Sequence, residues 1–498
     1  MPVSFNNIPA GDGIRVPLFY AEMDNSMANS ATASMRRLIV AQVNEDAQAT
    51  EIGKLTLLPS EAEATRIGGA GSMLAQMFRA WRKNDPLGEV WCLPIKSSSG
   101  AAAKATVTLS GTATEAGTFT IYIGGERVQF AVTAGMTHTE AATALVAAIT
   151  GATDRLPVTA SASEAIVTVT AKFKGALGND IKLEMNRLGV ANGQKTPAGL
   201  TVDCGAMSTG SGDPELASAL AALGDEPFEF ICAPWTDDTS LNAWQEFMSD
   251  ASGRWSYLKQ TYGHVYTALR GTVSELVTAG KKRNDQHTTI VGVEKDIANP
   301  SWVVAAAFTA RTAVFISADP ARPTQTGQLL GLMPSAPSDR YDITERNTLL
   351  SNGIATMTTG AGGVLMIERA VTTYQTNAYG APDNSYLDSE TLHQSAYVLN
   401  ALKIAITSKF GRHKLASDGT KFGPGQAIVT PKVIKAELIA QYDKLEYKGI
   451  VENSKMFAKV LIVERDVDNV NRINVMLPPD YVNQLRIFAL LNQFRLQY

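Results

Sequence analysis

The chain has 498 residues, of which 45% are hydrophobic and 18% charged; it can bury sizeable cores, is too apolar for a disordered chain, and at roughly 100–200 residues per domain predicts about three domains. Its 44 Lys and Arg stand against 48 Asp and Glu, and a net charge near zero argues against nucleic acid or a membrane surface as partner. Three cysteines far apart, Cys92, Cys204 and Cys232, exclude a disulfide framework or a cysteine metal cluster and fit a reducing cytoplasm.

The opening MPVSFNNIPAGDG has no basic stretch followed by an apolar run, so no secretory signal is expected. Residues 1–24 read as an extended linking arm. Ile14, Val16, Leu18 and Tyr20 alternate with Arg15, Pro17, Phe19 and Ala21 at strand period, and Pro17 restricts this strand to an edge or unpaired position. An α/β pattern follows over 25–96, with a strand over 35–43 and a helix opened by Ser60 with Glu63 at capping-box spacing. A second helix over 72–83 and a strand over 89–95 complete it.

The composition then shifts. SSSGAAAK (97–104) reads as a linker into Thr- and Val-rich strands over 106–110, 118–123, 127–132, 165–170 and 180–186, interrupted by one helix over 140–149. Gly124-Gly125 signals a hairpin. The stretch CGAMSTGSGD (204–213) ends this segment, so 97–204 is predicted as an inserted β-rich domain. The α/β rhythm resumes over 205–345. Asp213 is expected to cap a helix with Pro214 in its first turn. Strands over 228–233, 264–269 and 288–293 alternate with helices over 239–251, 273–279 and 301–315, which predicts a parallel sheet covered by helices. The apolar run 303–316 is too short to span a bilayer and contains Arg311, so no direct membrane insertion is expected.

Residues 346–480 read as an α+β domain. A strand over 364–367 precedes helices over 392–410, with Val398, Leu402 and Ile406 at helical spacing, and over 432–442, with Thr430 as cap and Pro431 at the first position. Strands are expected over 457–463 and 473–476. Residues 481–498 end the chain in a strand over 484–495. Residues 401–498 hold 15 Lys and Arg against 9 Asp and Glu, a balance of +6 that leaves −10 for the rest. That excess reads either as a face towards an acidic partner or as ordinary solvation.

A search for chemistry finds none. His138, His264, His287, His393 and His413 show no metal-ligand spacing such as HExxH, and no GxSxG elbow occurs. Ser208 and Ser211 lie in a Gly-rich stretch with no general base nearby. The clusters GGAG (68–71) and GAGG (360–363) complete no phosphate-binding motif and are expected to make turns, and AGKKR (279–283) shares only its GK with a Walker loop. The adjacent acids Asp225-Glu226 and Asp237-Asp238 mark exposed loops or helix starts. No catalytic, cofactor-binding or metal residue is predicted.

Attention therefore passes to the last segment, VNQLRIFALLNQFRLQY. Leu485, Ile487 and Ala489 fall on one face of a strand; Arg486, Phe488 and Leu490 fall on the other. Both faces carry apolar groups, which fits either an internal strand or a strand added to a neighbouring subunit's sheet. The hydrogen bonds and apolar burial such a strand gains, including Leu491, nearly equal the entropy of ordering it, so a single exchanged strand is weak and only a repeating lattice of them holds.

The stretch 347–419 resembles the tail sheath proteins of contractile-tailed phages, the Mu-like group above all. The run Ile-Glu-Arg-Ala-Val-Thr-Thr-Tyr at 367–374, then Asn377, Asp383, Tyr386 and Asp388, carries most of the likeness. SGDPELASALAALGDEPFEFICAPWTD (211–237), the opening SFNNIPAGDGIRVPLFYAEMDNS and the closing segment are similar as well, so it covers nearly the whole chain, least specifically over 97–204. The resemblance implies a subtilisin-like three-layer α/β core without catalytic residues, a β-rich inserted domain facing outward and an α+β C-terminal domain nearest an inner tube. It implies hexameric rings stacked helically around that tube and contracting to drive it through the host envelope, in a virion tail assembled in the bacterial cytoplasm. Expected partners are further copies of the chain, the tail tube protein, and baseplate and tail terminator proteins, with no cofactor. The arms at 1–24 and 481–498 would link subunits through Ile14, Val16, Leu18, Tyr20, Leu485, Ile487, Phe488, Leu490 and Leu491. Lys409, Arg412, His413, Lys414, Lys432 and Lys435 would face the tube. The alternatives are a subtilisin-like or esterase-like hydrolase using the α/β core, and another injection-machine part such as a tube or baseplate protein.

Overall fold

Strands form where the sequence runs apolar without polar alternation. RLIVAQ, VWCLPI and TTIVGVE are buried along nearly their whole length, as strands covered on both faces must be. The computed structural model describes residues 35–47 and 51–497; the predicted arm with Ile14, Val16, Leu18 and Tyr20 lies outside them. The three runs belong to one eight-stranded sheet. Its spatial order is Leu365–Arg369, Ile354–Thr359, Thr288–Glu294, His264–Gly271, Phe230–Cys232, Arg37–Gln42, Val90–Ile95 and Thr56–Leu57. The six inner strands are parallel and the two outer ones antiparallel to their neighbours. The chain is thus a mixed α/β protein.

Helix starts follow cap chemistry. Ser60 and Ser72 accept from the backbone N–H groups of Glu63 and Ala75, and Thr272 with Glu275 and Asp342 with Glu345 form full capping boxes. Asp213 does not cap. The Gly212 carbonyl is held by the Ala176 N–H at 3.0 Å, and the helix begins only at Leu216 without a side-chain cap. The helix Ser301–Ala318 is long and apolar enough to cross a membrane by length and composition, yet most of it is buried inside the protein against the helix Met73–Asn84 and the sheet.

Between Val90–Ile95 and Phe230–Cys232 the chain builds two smaller antiparallel sheets. One has the order Leu200–Cys204, Ala102–Gly111, Ile166–Lys174, Val158–Ser163; the other Glu126–Val132, Gly117–Ile123, Leu183–Met185. Gly124 and Gly125, at φ +58° and +83°, make the two-residue hairpin turn that only such backbones fit easily. The strands Val158–Ser163 and Leu200–Cys204 are additional to those expected, since small and polar residues mask their alternation.

The predicted break at 345 does not interrupt the large sheet. Ile354–Thr359 continues its parallel run, and GAGG supplies the turn into Leu365–Arg369, with Gly362 and Gly363 at φ +81° and +75°. Beyond it, the helices Ser389–Phe410 and Pro431–Tyr447 enclose a second core of Val398, Leu402, Ile434, Leu438 and Tyr442. The expected strand over 457–463 is instead a helix, Ser454–Val460, followed by the strand Ile462–Arg465. Phe457 stacks on Tyr442 at 3.7 Å between ring centroids, and the Glu446 side chain accepts from the Ser454 N–H at 2.9 Å; both contacts favour the helical turn. Ile462–Arg465 pairs with Ile473–Met476 as an isolated two-stranded sheet. No strand forms over 484–495.

The long helix rests on the large sheet through histidines. The His393 ring stacks on Phe230 at 4.7 Å, and its Nε2 meets the Tyr266 hydroxyl at 2.9 Å. Burial lowers His393 to about 3 and pushes His264 well below its ordinary value. Both are neutral above pH 6.5, folded or unfolded. Between pH 6.5 and about 3 only the unfolded chain takes up the His393 proton, so stability falls as pH falls through that window. His393 alone accounts for about 2 kcal/mol of the loss at pH 5. Replacing it by glutamine, which keeps a hydrogen bond to Tyr266, is expected to flatten the decline of the thermal midpoint between pH 6.5 and 5. An unchanged slope counts against this account.

Candidate assembly surfaces

Open parallel sheets bind ligands at the carboxyl ends of their strands, where strand order reverses. Here the reversal lies between Arg37–Gln42 and Phe230–Cys232, because the chain passes from the first to Val90–Ile95 on one side and later to the second on the other. At that point the chain itself covers the edge, while beside it a crevice lined by Asp180, Asp213, Trp235, Asp237 and Arg270 stays open. Gln42 Nε2 donates to the Lys174 carbonyl at 3.0 Å, and Lys174 pairs with Glu45 at 2.8 Å. Arg270, near the end of the strand His264–Gly271, grips Asp180 and donates to the carbonyls of Glu294, Ile297 and Asn299 at 3.1, 2.6 and 2.5 Å. The second Asp180 oxygen accepts from the Ser301 N–H at the start of the helix Ser301–Ala318, where the helix dipole favours a negative charge.

The two serines singled out from the sequence are exposed but tied into the fold of the inserted segment. Ser208 pairs through its backbone with Lys104, and Ser211 Oγ accepts from the Ala101 N–H at 3.2 Å. Burial pushes the Cys92 and Cys232 thiols up to about 12 and Cys204 to about 11, which leaves them protonated and inert. The nearest thing to a catalytic set is Tyr266, whose hydroxyl lies 3.2 Å from Ser389 Oγ and 2.9 Å from His393 Nε2. All three side chains are buried, so no substrate reaches them. Among the described residues no group of three His, Cys, Asp or Glu is placed to hold a metal ion.

The residues that carry the family likeness brace the turn into the long helix. Glu368 pairs with Arg346 at 2.9 Å, and Arg369 forks onto Asp388 at 2.7 and 2.8 Å. The Tyr374 hydroxyl donates to Asp383 at 2.6 Å, its ring meets Tyr386 edge-on, and Asn377 Oδ1 accepts from the Tyr379 and Ala381 N–H groups. These are structural contacts.

The C-terminal segment falls into two parts. Tyr481 packs against the second core and bridges Val451, the Val482 N–H donates to the Ile450 carbonyl, and the Arg486 side chain turns inward to Asp388 and Glu390. Among the described residues no hydrogen bond reaches 487–497. Leu485, Ile487, Phe488, Leu490 and Leu491 are all at least 71% exposed, and Phe494 and Leu496 continue the row. The linking candidates on this segment therefore share one unpaired, apolar stretch. Gln484 Nε2, by contrast, donates to the Ala321 carbonyl on its own subunit.

The six basic candidates lie on and between the two C-terminal helices, but several are engaged. Lys409 pairs with Glu437 at 2.6 Å, Lys435 Nζ donates to the Leu461 carbonyl at 2.7 Å, and Lys414 Nζ to Gln426 at 3.1 Å. Arg412, His413 and Lys432 are exposed. His413 touches Phe410 edge-on, and Lys432 lies beside Asp418. Sequence reasoning missed Arg270, Asp180, Glu390 and Arg486, because a charged residue gives no periodic signal of being buried.

The braced sheet edge and the exposed apolar row at 485–496 fit a structural subunit that assembles with others. Family models point the same way. The phage tail sheath protein central domain matches residues 209–373, the phage tail sheath C-terminal domain residues 381–495, and the phage tail sheath protein beta-sandwich domain residues 98–203. The chain is 39% identical over 496 residues to the Mu-like prophage FluMu tail sheath protein of Haemophilus influenzae, covering 99% of this chain and 100% of that protein. The sheath tail protein of Desulfitobacterium hafniense shares the fold, with a TM-score of 0.50, 15% identity, and coverage of 95% of this chain and 97% of that one. The chain belongs to the phage tail sheath family. It is a structural component of a contractile phage tail, and the hydrolase alternative finds no support.

Replacing Arg270 by leucine removes one partner of a largely buried pair, at a cost of about 3–5 kcal/mol. The expected outcome is a lower urea midpoint and faster proteolysis in the connections at 97–101 and 205–212. A cleavage pattern like that of the parent protein would sink the claim that Arg270 fastens the inserted segment.

Proposed function

We propose that the subunit polymerises as hexameric rings stacked in a helix around the inner tail tube, and that its contraction drives the tube through the host envelope. The observation that carries this reading is the exposed apolar row at 485–496, whose backbone from 487 onward makes no hydrogen bond among the described residues. The isolated sheet of Ile462–Arg465 and Ile473–Met476 supports it from the other side. A two-stranded sheet is marginal alone and leaves both edges open. Arms from neighbouring copies, including residues 1–24 with Ile14, Val16, Leu18 and Tyr20, are the strands that complete it.

On this reading residues 25–96 and 205–345 form a subtilisin-like three-layer core that has lost any active site. The parallel order of its central strands and the covered switch point support that. Residues 97–204 face outward and 346–480 lie nearest the tube. Lys409, Arg412, His413, Lys414, Lys432 and Lys435 form the tube-facing surface, with Arg412, His413 and Lys432 the members least committed to contacts within the subunit. The partners are copies of the chain, the tail tube protein, and the baseplate and tail terminator proteins, met in the bacterial cytoplasm where the tail assembles.

Two experiments test this. A chain ending at Arg486 keeps every contact of Tyr481 and Arg486, so it is expected to stay folded and monomeric and to form no tubes. Tubes seen by electron microscopy would overturn the linking role. Separately, Arg412→Glu with Lys432→Glu should weaken attachment to the tail tube about tenfold or more while sheath polymerisation continues. Equal attachment would mean that the +6 balance of residues 401–498 is solvation only.

A further inference from the structure

We infer that Arg486 is the root of the C-terminal arm: residues 481–486 stay seated on their own subunit while residues 487–497 reach a second copy of this chain. This rests on the linking role proposed above and adds where the link begins and what it pulls on.

The first argument is geometric. Along this surface segment Leu485 and Ile487 are 71% and 81% exposed, yet the Arg486 side chain between them keeps only 12% of its surface. One side chain has turned inward from a segment whose flanking side chains point to solvent. The guanidinium lies 3.3 Å from Asp388 and 3.1 Å from Glu390. Lighter contacts hold the same stretch, with Gln484 Nε2 on the Ala321 carbonyl, Gln325 Nε2 on the Leu485 carbonyl and Arg486 on Gln325 Oε1, each at 3.3 Å.

The second argument is the balance of charge. Arg369 and Arg486 face Asp388 and Glu390, two cations against two anions. Arg369 already forks onto Asp388. Glu390 is wholly buried, and its other partners are neutral: the Thr324 N–H and hydroxyl at 3.1 and 2.7 Å and the Ser389 hydroxyl at 3.4 Å. If Arg486 left with the arm, Glu390 would keep no cation within ion-pair distance, only the more distant Arg369 that is already forked onto Asp388, and an underpaired buried carboxylate is penalised. The arm therefore turns beyond residue 486 and does not peel off at 481.

The third argument is what the root is joined to. Asp388 and Glu390 flank the start of the helix Ser389–Phe410, and Ser389 and His393 meet Tyr266 on the large sheet. A pull on the arm is delivered through Arg486 to this junction of helix and sheet, the body of the subunit, rather than to the small sheet of Ile462–Arg465.

The test uses full-length protein with a nitroxide on a cysteine introduced by Asn483→Cys or by Ala489→Cys. In the parent background the 483 label is expected to tumble slowly and the 489 label fast; equal rates at both positions overturn the inference without any further variant. The pair Glu390→Gln/Arg486→Gln removes one charge of each sign and keeps polar amides in place. It should speed the 483 label about threefold or more, leave the 489 label unchanged and give irregular tubes, with Arg486→Lys intermediate. An unchanged 483 label, or tubes as regular as the parent's, refutes the root. Tubes from the chain ending at Arg486 would instead defeat the linking role itself. No tubes from that chain alongside normal assembly of the pair variant would defeat the root alone.

Discussion

The tie that Arg270 and Asp180 make across the parallel sheet's carboxyl edge is the constraint on which the rest depends. A parallel sheet must be covered on both faces, and its carboxyl edge is the place where α/β proteins ordinarily admit a ligand. Here one guanidinium ties that edge to four carbonyls and to a carboxylate from the inserted segment. The same carboxylate caps the core helix Ser301–Ala318. The insertion is thereby fastened to the sheet, with a crevice left open beside the tie. A fold that elsewhere hosts chemistry becomes a body suited to bearing load.

The C-terminal arm is built on the opposite principle. The large sheet pairs its strands within the chain, whereas residues 487–497 make no hydrogen bond among the described residues and expose a row of large apolar side chains. Such a stretch is stable only when something covers it. The two-stranded sheet Ile462–Arg465 and Ile473–Met476 has open edges that require strands. Both deficits vanish together if copies of the chain supply each other, and each exchanged strand can then be weak because many act in parallel.

The parallel core was legible in the sequence because its signal is continuous apolarity, as in RLIVAQ and TTIVGVE, punctuated by caps such as Thr272 with Glu275. Legibility failed where tertiary contacts outweighed local pattern. The run 457–463 alternates like a strand, yet stacking of Phe457 on Tyr442 winds its first part into a helix. The stretch VTASAS was passed over because small residues hide its period, although it pairs along its full length with Ile166–Lys174. Over 484–495 the alternation is present and the strand is not, since alternation records a preference for pairing and says nothing about whose strand supplies the partner. The candidate residues divide in the same way. The apolar row could be read off the sequence, whereas Arg270, Glu390 and Arg486 could not, because only the fold shows that those charges are buried.

Buried ion pairs contribute little net stability, because desolvation offsets most of their attraction, but breaking one by removing a single partner is costly. That asymmetry suits an arm that must stay attached while its far end moves. An apolar anchor at 486 would slide among equivalent packings. A guanidinium held between Asp388 and Glu390 has one seat, and leaving it strands a buried carboxylate. Beyond that seat the arm carries only apolar groups as far as Leu491, whose attraction is non-directional and tolerates a change of angle. On the linking role proposed above, directional charge at the root and non-directional apolar contact along the reach would let a link between subunits turn without letting go.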